Sequence, residues 1–453
     1  MDELLSFSAT HLARLVRQGS ISPVELVQAH LDRIAEVNPQ IHAAIEVFTE
    51  QSLEAARTVD AGPLCGVPFS IKDSIELAGA VCTAGTLGRR DAAPSTEDAT
   101  LVSRLRQAGA IPIARTNLPD LLFAFESDNL MFGATCNPYD LGRTSGGSSG
   151  GEAALIASCG SPFGLGSDAA GSVRLPAAFC GIATIKPTSG RLPRTGHFPP
   201  AGGWIAALWQ IGPMARYVED LCTVMPLLVG SDGRDASVVD MPFHDPAQVE
   251  LGKLRVAFYT DNGFASADEE VTSVVRAAAR ALAAEEDRPA CLEKAYDLEM
   301  KLIGADGGDG LRDYLKELGS AQAHPLLTGW LDKLERCRTS VGGFGGYWAE
   351  WDAYRSEMGA FLGRYDVIVC PVYTHAALPH GASTVEENFL GFSHTMAYNV
   401  AGWPAAVVRC GTSADGLPIG VQIVAAPWRE DIALAVAARL ESEFGGWKAA
   451  SAL

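Results

Sequence analysis

Apolar residues recur at helical spacing near the N-terminus. Leu12, Leu15 and Val16 share one face, and Gly19 then interrupts the pattern. A second helix is predicted from Ser22-Pro23-Val24-Glu25. Ser22 can cap it, Pro23 suits the first helical position, and Glu25 stands three residues after the cap, as in a capping box. Val27, Leu31 and Ile34 continue at steps of four and three, forming one apolar stripe. From about residue 64 the texture changes to short apolar runs separated by Gly, Pro and Asp. Residues 67–71 and 111–114 read as short buried strands, with a helix at 100–108 between them, and this alternation predicts an α/β core. Residues 230–246, rich in Asp, Gly and Ser, read as a linker. Residues 265–362 read mainly as helices, with a Gly-rich break at 306–310. Strand texture returns at 365–369 and 419–424, and a last helix is predicted over 430–444. The core therefore draws on both halves of the chain, with a helical excursion between them. No repeat of 20–50 residues is visible.

The 453 residues suffice for a large core, and 47% apolar with 20% charged residues is ordinary for a globular protein. A formal charge of −19, with no basic run, argues against a nucleic-acid partner and reads as a solvated, repulsive surface. The ten cysteines, from Cys65 to Cys410, form no CxxC pair. Cys222 and Cys370 lie in apolar stretches and read as small buried hydrophobes, so neither disulfides nor a thiolate zinc site is expected. The first residues are acidic where a secretory signal is basic, and no apolar run approaches the roughly 20 residues of a membrane helix. A reduced, cytoplasmic protein without a membrane span is expected. The nine histidines show no metal-ligand spacing, and His375 and His380, on either side of Pro379, read as solvated loop residues. No cofactor and no metal are implied.

The most unusual composition lies at 142–188. Thr144-Ser145-Gly146-Gly147-Ser148-Ser149-Gly150-Gly151 precedes a short helical run from Glu152. Gly166-Ser167-Asp168-Ala169-Ala170-Gly171-Ser172-Val173-Arg174-Leu175-Pro176 follows. A phosphate-cradling loop would end in Gly-Lys-Ser/Thr, yet no lysine occurs between Lys72 and Lys186. A nucleophile elbow centred on Ser148 would satisfy G-x-S-x-G, but residues 137–144 are polar and turn-like where an elbow follows a buried strand. The ordered apolar pattern on both flanks opposes a flexible linker.

Together with Gly66-Val67-Pro68-Phe69-Ser70-Ile71-Lys72-Asp73, these segments resemble the three hallmark motifs of the amidase signature family. The resemblance covers nearly the whole chain. It extends to Cys180-Gly181, Lys186-Pro187-Thr188, Asn399-Val400-Ala401-Gly402-Trp403-Pro404 and Leu417-Pro418-Ile419-Gly420-Val421-Gln422. It implies one α/β amidase domain over 1–453, a central mixed β-sheet flanked by helices. Its parts are N-terminal helices at 1–60, a catalytic core at 64–230, the helical excursion at 265–362, and core completion at 363–453.

The resemblance also implies a Ser-cisSer-Lys triad: Ser172 as nucleophile, Ser148 after a cis bond from Gly147 as relay, and Lys72 as base. The backbone N–H groups of Ala169, Ala170, Gly171 and Ser172 form the implied oxyanion hole, with Ser149, Asp168 and Arg174 in support. A serine hydroxyl needs a base to remove its proton as attack proceeds. Lys72 can be that base only when neutral, and an unperturbed lysine lies about three pH units from that condition, roughly 4 kcal/mol. Burial lowers a lysine pKa by that order, and Val67, Phe69 and Ile71 supply apolar neighbours. Taken alone, Lys72 would read as pairing with Asp73, and Ser148 or Ser149 as a helix cap. The family pattern has Gly-Gly before the nucleophile; this chain has Ala170-Gly171, a departure that bears on pocket shape.

Members of the family hydrolyse small amides, fatty-acid amides, aryl acylamides, peptide amides and some carbamates. Glu126-Ser127-Asp128-Asn129, running into Asn137-Pro138-Tyr139-Asp140, resembles the fatty-acid-amide and aryl-acylamide branch. The alternative is the amidase-type component of a glutamine-dependent tRNA amidotransferase complex, which carries Met-Asp-Glu where this chain has Leu118-Pro119-Asp120. Some of the aromatics at 344–351 and Trp403 are expected to line an apolar acyl or aryl pocket, with ordinary helix packing the equal alternative for 344–351. The expected partner is a small amide-type substrate, with urethanes and esters as further candidates; a homodimer is left open.

Overall fold

The computed structural model describes residues 3–200, 202 and 205–450. Among them, eleven strands form one mixed sheet. In spatial order these are Ala44–Val47, Ile111–Thr116, Pro68–Lys72, Phe163–Asp168, Gln210–Ala215 and Ala183–Lys186, followed by Ala405–Thr412, Pro418–Ala425, Val367–Pro371, Val256–Phe258 and Glu285–Glu286. Pro68–Lys72 runs parallel to both its neighbours, whereas the middle of the sheet is antiparallel. The strands nearest the centre are buried on both faces, which is why they read as continuous apolar or glycine-rich runs rather than as alternation.

Local signals hold where they are strong. The helix Pro23–Ile41 starts with the full capping box: the Ser22 hydroxyl accepts from Glu25 N, and the Glu25 carboxylate accepts from Ser22 N at 2.9 Å. The last helix is Glu430–Phe444. Residues 265–362 contribute the helices Glu269–Ala281, Ala295–Ile303, Asp309–Glu317, Pro325–Glu335 and Val341–Phe361. The chain breaks where Gly307 and Gly308 adopt positive φ, at +69° and +82°. No helix among the described residues is long and apolar enough to cross a membrane. All ten cysteines are free; Cys370 is buried and Cys222 only half-buried.

Two local features aim the chemistry. The helix Gly150–Ala157 lies against the strands Pro68–Lys72 and Phe163–Asp168. Glycines at 164 and 166 permit that approach, because a Cβ at Gly166 would come within 2.8 Å of the Ser149 hydroxyl. The C-terminal end of the second strand lines one cavity at Ser167, and Lys72, at the end of the first, bonds that residue.

Candidate active site

Lys72 ends its strand fully buried. Its Nζ donates to Ser148 Oγ at 2.7 Å and to Ser167 Oγ at 3.1 Å. Burial is the dominant influence on the amine and pushes it well below the ordinary lysine value, against the opposing pull of the Asp168 and Glu152 carboxyls. The pairing with Asp73 suggested by adjacency alone does not form. Asp73 is taken by Arg115 at 3.0 Å and by the Thr83 hydroxyl.

Ser148 occupies a tight loop. The Gly147–Ser148 peptide bond is cis, and Gly146 has φ +84°. A Cβ on Gly147 would come within 2.5 Å of Glu126 N, so only glycine lets the loop close against residues 124–126. The Ser127 hydroxyl fastens the loop, donating to Gly146 O at 3.0 Å and accepting from Gly150 N at 2.8 Å. No buried strand leads into Ser148, because Asp140–Thr144 belongs to a small separate hairpin with Cys136–Asn137. The elbow arrangement is therefore excluded. Ser149 holds the N-cap position of Gly150–Ala157 without capping through its side chain. Its hydroxyl instead bonds Ser167 O at 3.2 Å and accepts from Ser167 N at 3.3 Å. Ser149 thus ties the start of the helix to the residue that shares Lys72.

Ser172 follows a loop organised by Asp168 and Arg174, both fully buried. Asp168 accepts from Arg174 Nε at 3.0 Å and Nη2 at 2.8 Å, from Gly171 N at 2.8 Å and from Val173 N at 3.2 Å. Burial alone would raise the Asp168 carboxyl; the Arg174 guanidinium and the Asn399 amide overcome it and hold the group well below the usual carboxylate range. Arg174 also reaches Thr395 O at 2.9 Å, Gln422 Oε1 at 2.7 Å and the Asn399 side-chain oxygen. The C-terminal segments around Asn399 and Gln422 therefore converge on this brace. Of the four amides expected to form an oxyanion hole, that of Gly171 is a correction, because its N–H is already committed to Asp168. The amides of Ala169, Ala170 and Ser172 meet no acceptor among the described residues.

Ser148, Ser167 and Ser172 face one cavity of about 540 Å³, open mouth included. Its apolar wall comes from Phe123, Phe125, Trp209, Ile303, Trp330 and Ala170. Of the two readings of 344–351, helix packing is the one observed, and Trp403 is corrected, since it lies outside this wall. Trp351 and Trp403 pack in a different cluster, and Trp351 donates to Val400 O at 2.7 Å. The long helix Val341–Phe361 packs on the helix Ala295–Ile303 and, through Trp351 and Tyr354, on the helix Ser393–Val400, and none of its residues lines the cavity. Trp330 arrives from the helical excursion and packs on Phe125 at 5.5 Å between ring centroids; Phe125 in turn stacks on Phe392 at 3.7 Å. His375 and His380 are absent from the wall. No ionised side chain lines the cavity among the described residues, and no group of His, Cys, Asp or Glu there is arranged to hold a metal ion.

Sequence reasoning did not single out Ser167, Thr395 or the Phe125–Trp330 wall. Ser167 carried a signal, since it precedes Asp168 inside the recognised motif. Trp330 carried none beyond an ordinary helical stripe.

The sequence profile of the Amidase family matches residues 25–434. Human fatty-acid amide hydrolase 2 is 31% identical, over 98% of this chain and 90% of its own length. A glutamyl-tRNA(Gln) amidotransferase subunit from Salinispora tropica is 32% identical, over 98% and 99% respectively. Among solved structures, the substrate complex of 6-aminohexanoate cyclic dimer hydrolase superposes with a TM-score of 0.90 at 29% identity, covering both chains completely.

Proposed function

The chain belongs to the amidase (amidase signature) family, and from that membership we propose that it hydrolyses small hydrophobic or aryl amides through an acyl-enzyme on Ser172. The observation that carries the reading is the 2.7 Å bond between a fully buried Lys72 and Ser148, beside Ser172 in one apolar cavity.

In this reading Ser172 Oγ attacks the carbonyl carbon. Ser148 takes the proton while passing its own to the neutral amine of Lys72. The amides of Ala169, Ala170 and Ser172 receive the charge that develops on the carbonyl oxygen, with Gly171 spent on holding the loop. As the intermediate collapses, Ser148 returns a proton to the leaving nitrogen, and water then releases the acid. A urethane would follow the same steps until its carbamic acid product loses carbon dioxide.

The lining supports an apolar substrate over glutamine, despite the likeness to an amidotransferase component. The α-ammonium and α-carboxylate of glutamine would be buried there without a charged partner, which costs several kcal/mol per ion. Aromatic walls favour a flat acyl or aryl group.

A fluorophosphonate should modify Ser172, located by peptide mass spectrometry, and Lys72→Ala should lose the labelling near neutral pH. An adduct on Ser148 would overturn the roles. A panel of chromogenic anilides, esters and carbamates should be turned over faster than glutamine; the reverse order would favour the amidotransferase reading.

A further inference from the structure

We propose that Glu152 is a positioning residue for this reaction, a buried acid whose neutral form leaves Lys72 free to act as an amine. The proposal rests on the assignment of Lys72 as the base.

Glu152 lies four residues after Ser148 on the helix Gly150–Ala157 and is fully buried. Its carboxyl receives the Ser70 hydroxyl on one oxygen and Thr116 Oγ1, at 2.6 Å, on the other. Both donors are set by the sheet around Lys72. Ser70 is two residues before it and so projects to the same side of the strand, while Thr116 is its register partner on the next strand. On the other flank, Gly164 pairs with Ser70 in register, and a Cβ there would overlap the Glu152 carboxyl. Three strands and one helix thus enclose this group. The helix that carries it also begins at the Ser148 loop.

The charged groups on those elements are otherwise spoken for. Arg115, beside Thr116, is paired with Asp73. Asp168, at the end of the third strand, is paired with Arg174. His197, which senses Lys72, is kept neutral by burial, its pKa lowered to about 3. Glu152 is therefore the acid beside Lys72, among the described residues, whose charge no arginine fixes. Burial pushes its carboxyl up to about 7, against the Ser70 and Thr116 hydroxyls and Lys72, which favour ionisation. An ionised Glu152 would hold a proton on Lys72, since a nearby anion stabilises an ammonium. A protonated Glu152 would not, and the neutral pair avoids two desolvated charges.

The test is the pH dependence of Ser172 labelling by a fluorophosphonate, which requires no knowledge of the substrate. Glu152→Gln fixes the neutral form that the proposal assigns, so the acidic limb should stay within about 0.3 pH unit of its place in the unaltered protein. The infrared carbonyl band of a protonated carboxyl, present near neutral pH and below in the unaltered protein, should lose the Glu152 contribution in this variant. Ser70→Ala, which removes a donor to the carboxylate and disfavours ionisation, should keep that band to higher pH and serves if Glu152→Gln does not fold. A limb that moves down by about one pH unit or more in either variant, or the absence of a Glu152 carbonyl band, would mean that Glu152 is ionised beside Lys72 and would overturn the proposal. An adduct elsewhere than Ser172 in the unaltered protein would instead sink the triad assignment beneath it.

Discussion

A Cβ placed on Gly171 would stand 2.7 Å from Thr395 Cβ and closer still to its hydroxyl, which itself donates to Ala170 O at 2.7 Å. Gly171 also has φ +125°, where side chains are strained whatever the space around them. Position 170 carries neither constraint: its φ is not positive, and its methyl simply joins the cavity wall. The departure from a Gly-Gly pair thus falls on the residue that tolerates it.

Gly171→Ala should therefore twist the turn that presents Ser172 and its flanking amides. Because those donors must meet the developing oxyanion, kcat/KM on an anilide should fall by about 10²- to 10³-fold. Adding Thr395→Ala should not restore it, since the backbone strain remains. A rate within threefold of the unaltered enzyme would show that the turn is not held as described.

Arg174 should not be replaceable by lysine. Its fork spans Asp168, Thr395, Asn399 and Gln422, a planar set of contacts that one ammonium cannot satisfy. Arg174→Ala would leave Asp168 buried without its cation and should cost about 3–5 kcal/mol in stability, measurable by urea unfolding. Arg174→Lys should lose activity even where it folds, because the loop bearing Gly171 and Ser172 is aligned by the Asp168 that Arg174 orients. An Arg174→Lys enzyme with full kcat would contradict this.

What was legible in the sequence is what short-range chemistry dictates. The Ser22–Glu25 capping box, the buried strand ending at Lys72 and the glycine loop at Ser148 each depend on residues a few positions apart. The convergence of Asn399 and Gln422 on Arg174 joins residues more than 220 positions apart and has no local signature. The pocket wall shows the same limit. Leu326, Leu327, Trp330, Leu331 and Leu334 form a helical stripe that declares burial without saying against what, and only packing turns Trp330 toward the serines. Aromatic density near 344–351 suits packing as well as a pocket, and only the fold shows that Trp351 is spent on Val400 O.

Trp330 should set the size of the acyl or aryl group accepted. Its ring contacts Phe125 and, at 5.0 Å between centroids, Phe389, so truncation opens the cavity at the wall supplied by the excursion. In Trp330→Ala, KM for a small aryl substrate should rise while longer acyl chains gain. The ratio of kcat/KM between the two should shift by about tenfold or more. An unchanged ratio would place substrate along a different wall.

Glu441 offers a check away from the site. On the helix Glu430–Phe444 it accepts from Val218 N at 3.0 Å, and Asp220 and Glu219 face it from the helix Val218–Leu228. Burial, aided by these two acids, pushes its carboxyl up to about 7 from an ordinary value near 4.5. Between those values the unfolded chain is ionised while the native one still holds the proton, so the native state loses stability as pH rises through this window. Glu441→Gln removes that proton linkage and keeps an oxygen for Val218. Its melting temperature, relative to the unaltered protein, should therefore climb by a few degrees as pH rises from about 4.5 to about 7, then level off. Asp220, raised to about 6 by burial, titrates while Glu441 is still neutral, so its contribution is shared by both proteins and drops out of the difference. A melting difference that stays constant from pH 4.5 to 8 would mean that this carboxyl does not titrate in the native protein within that window.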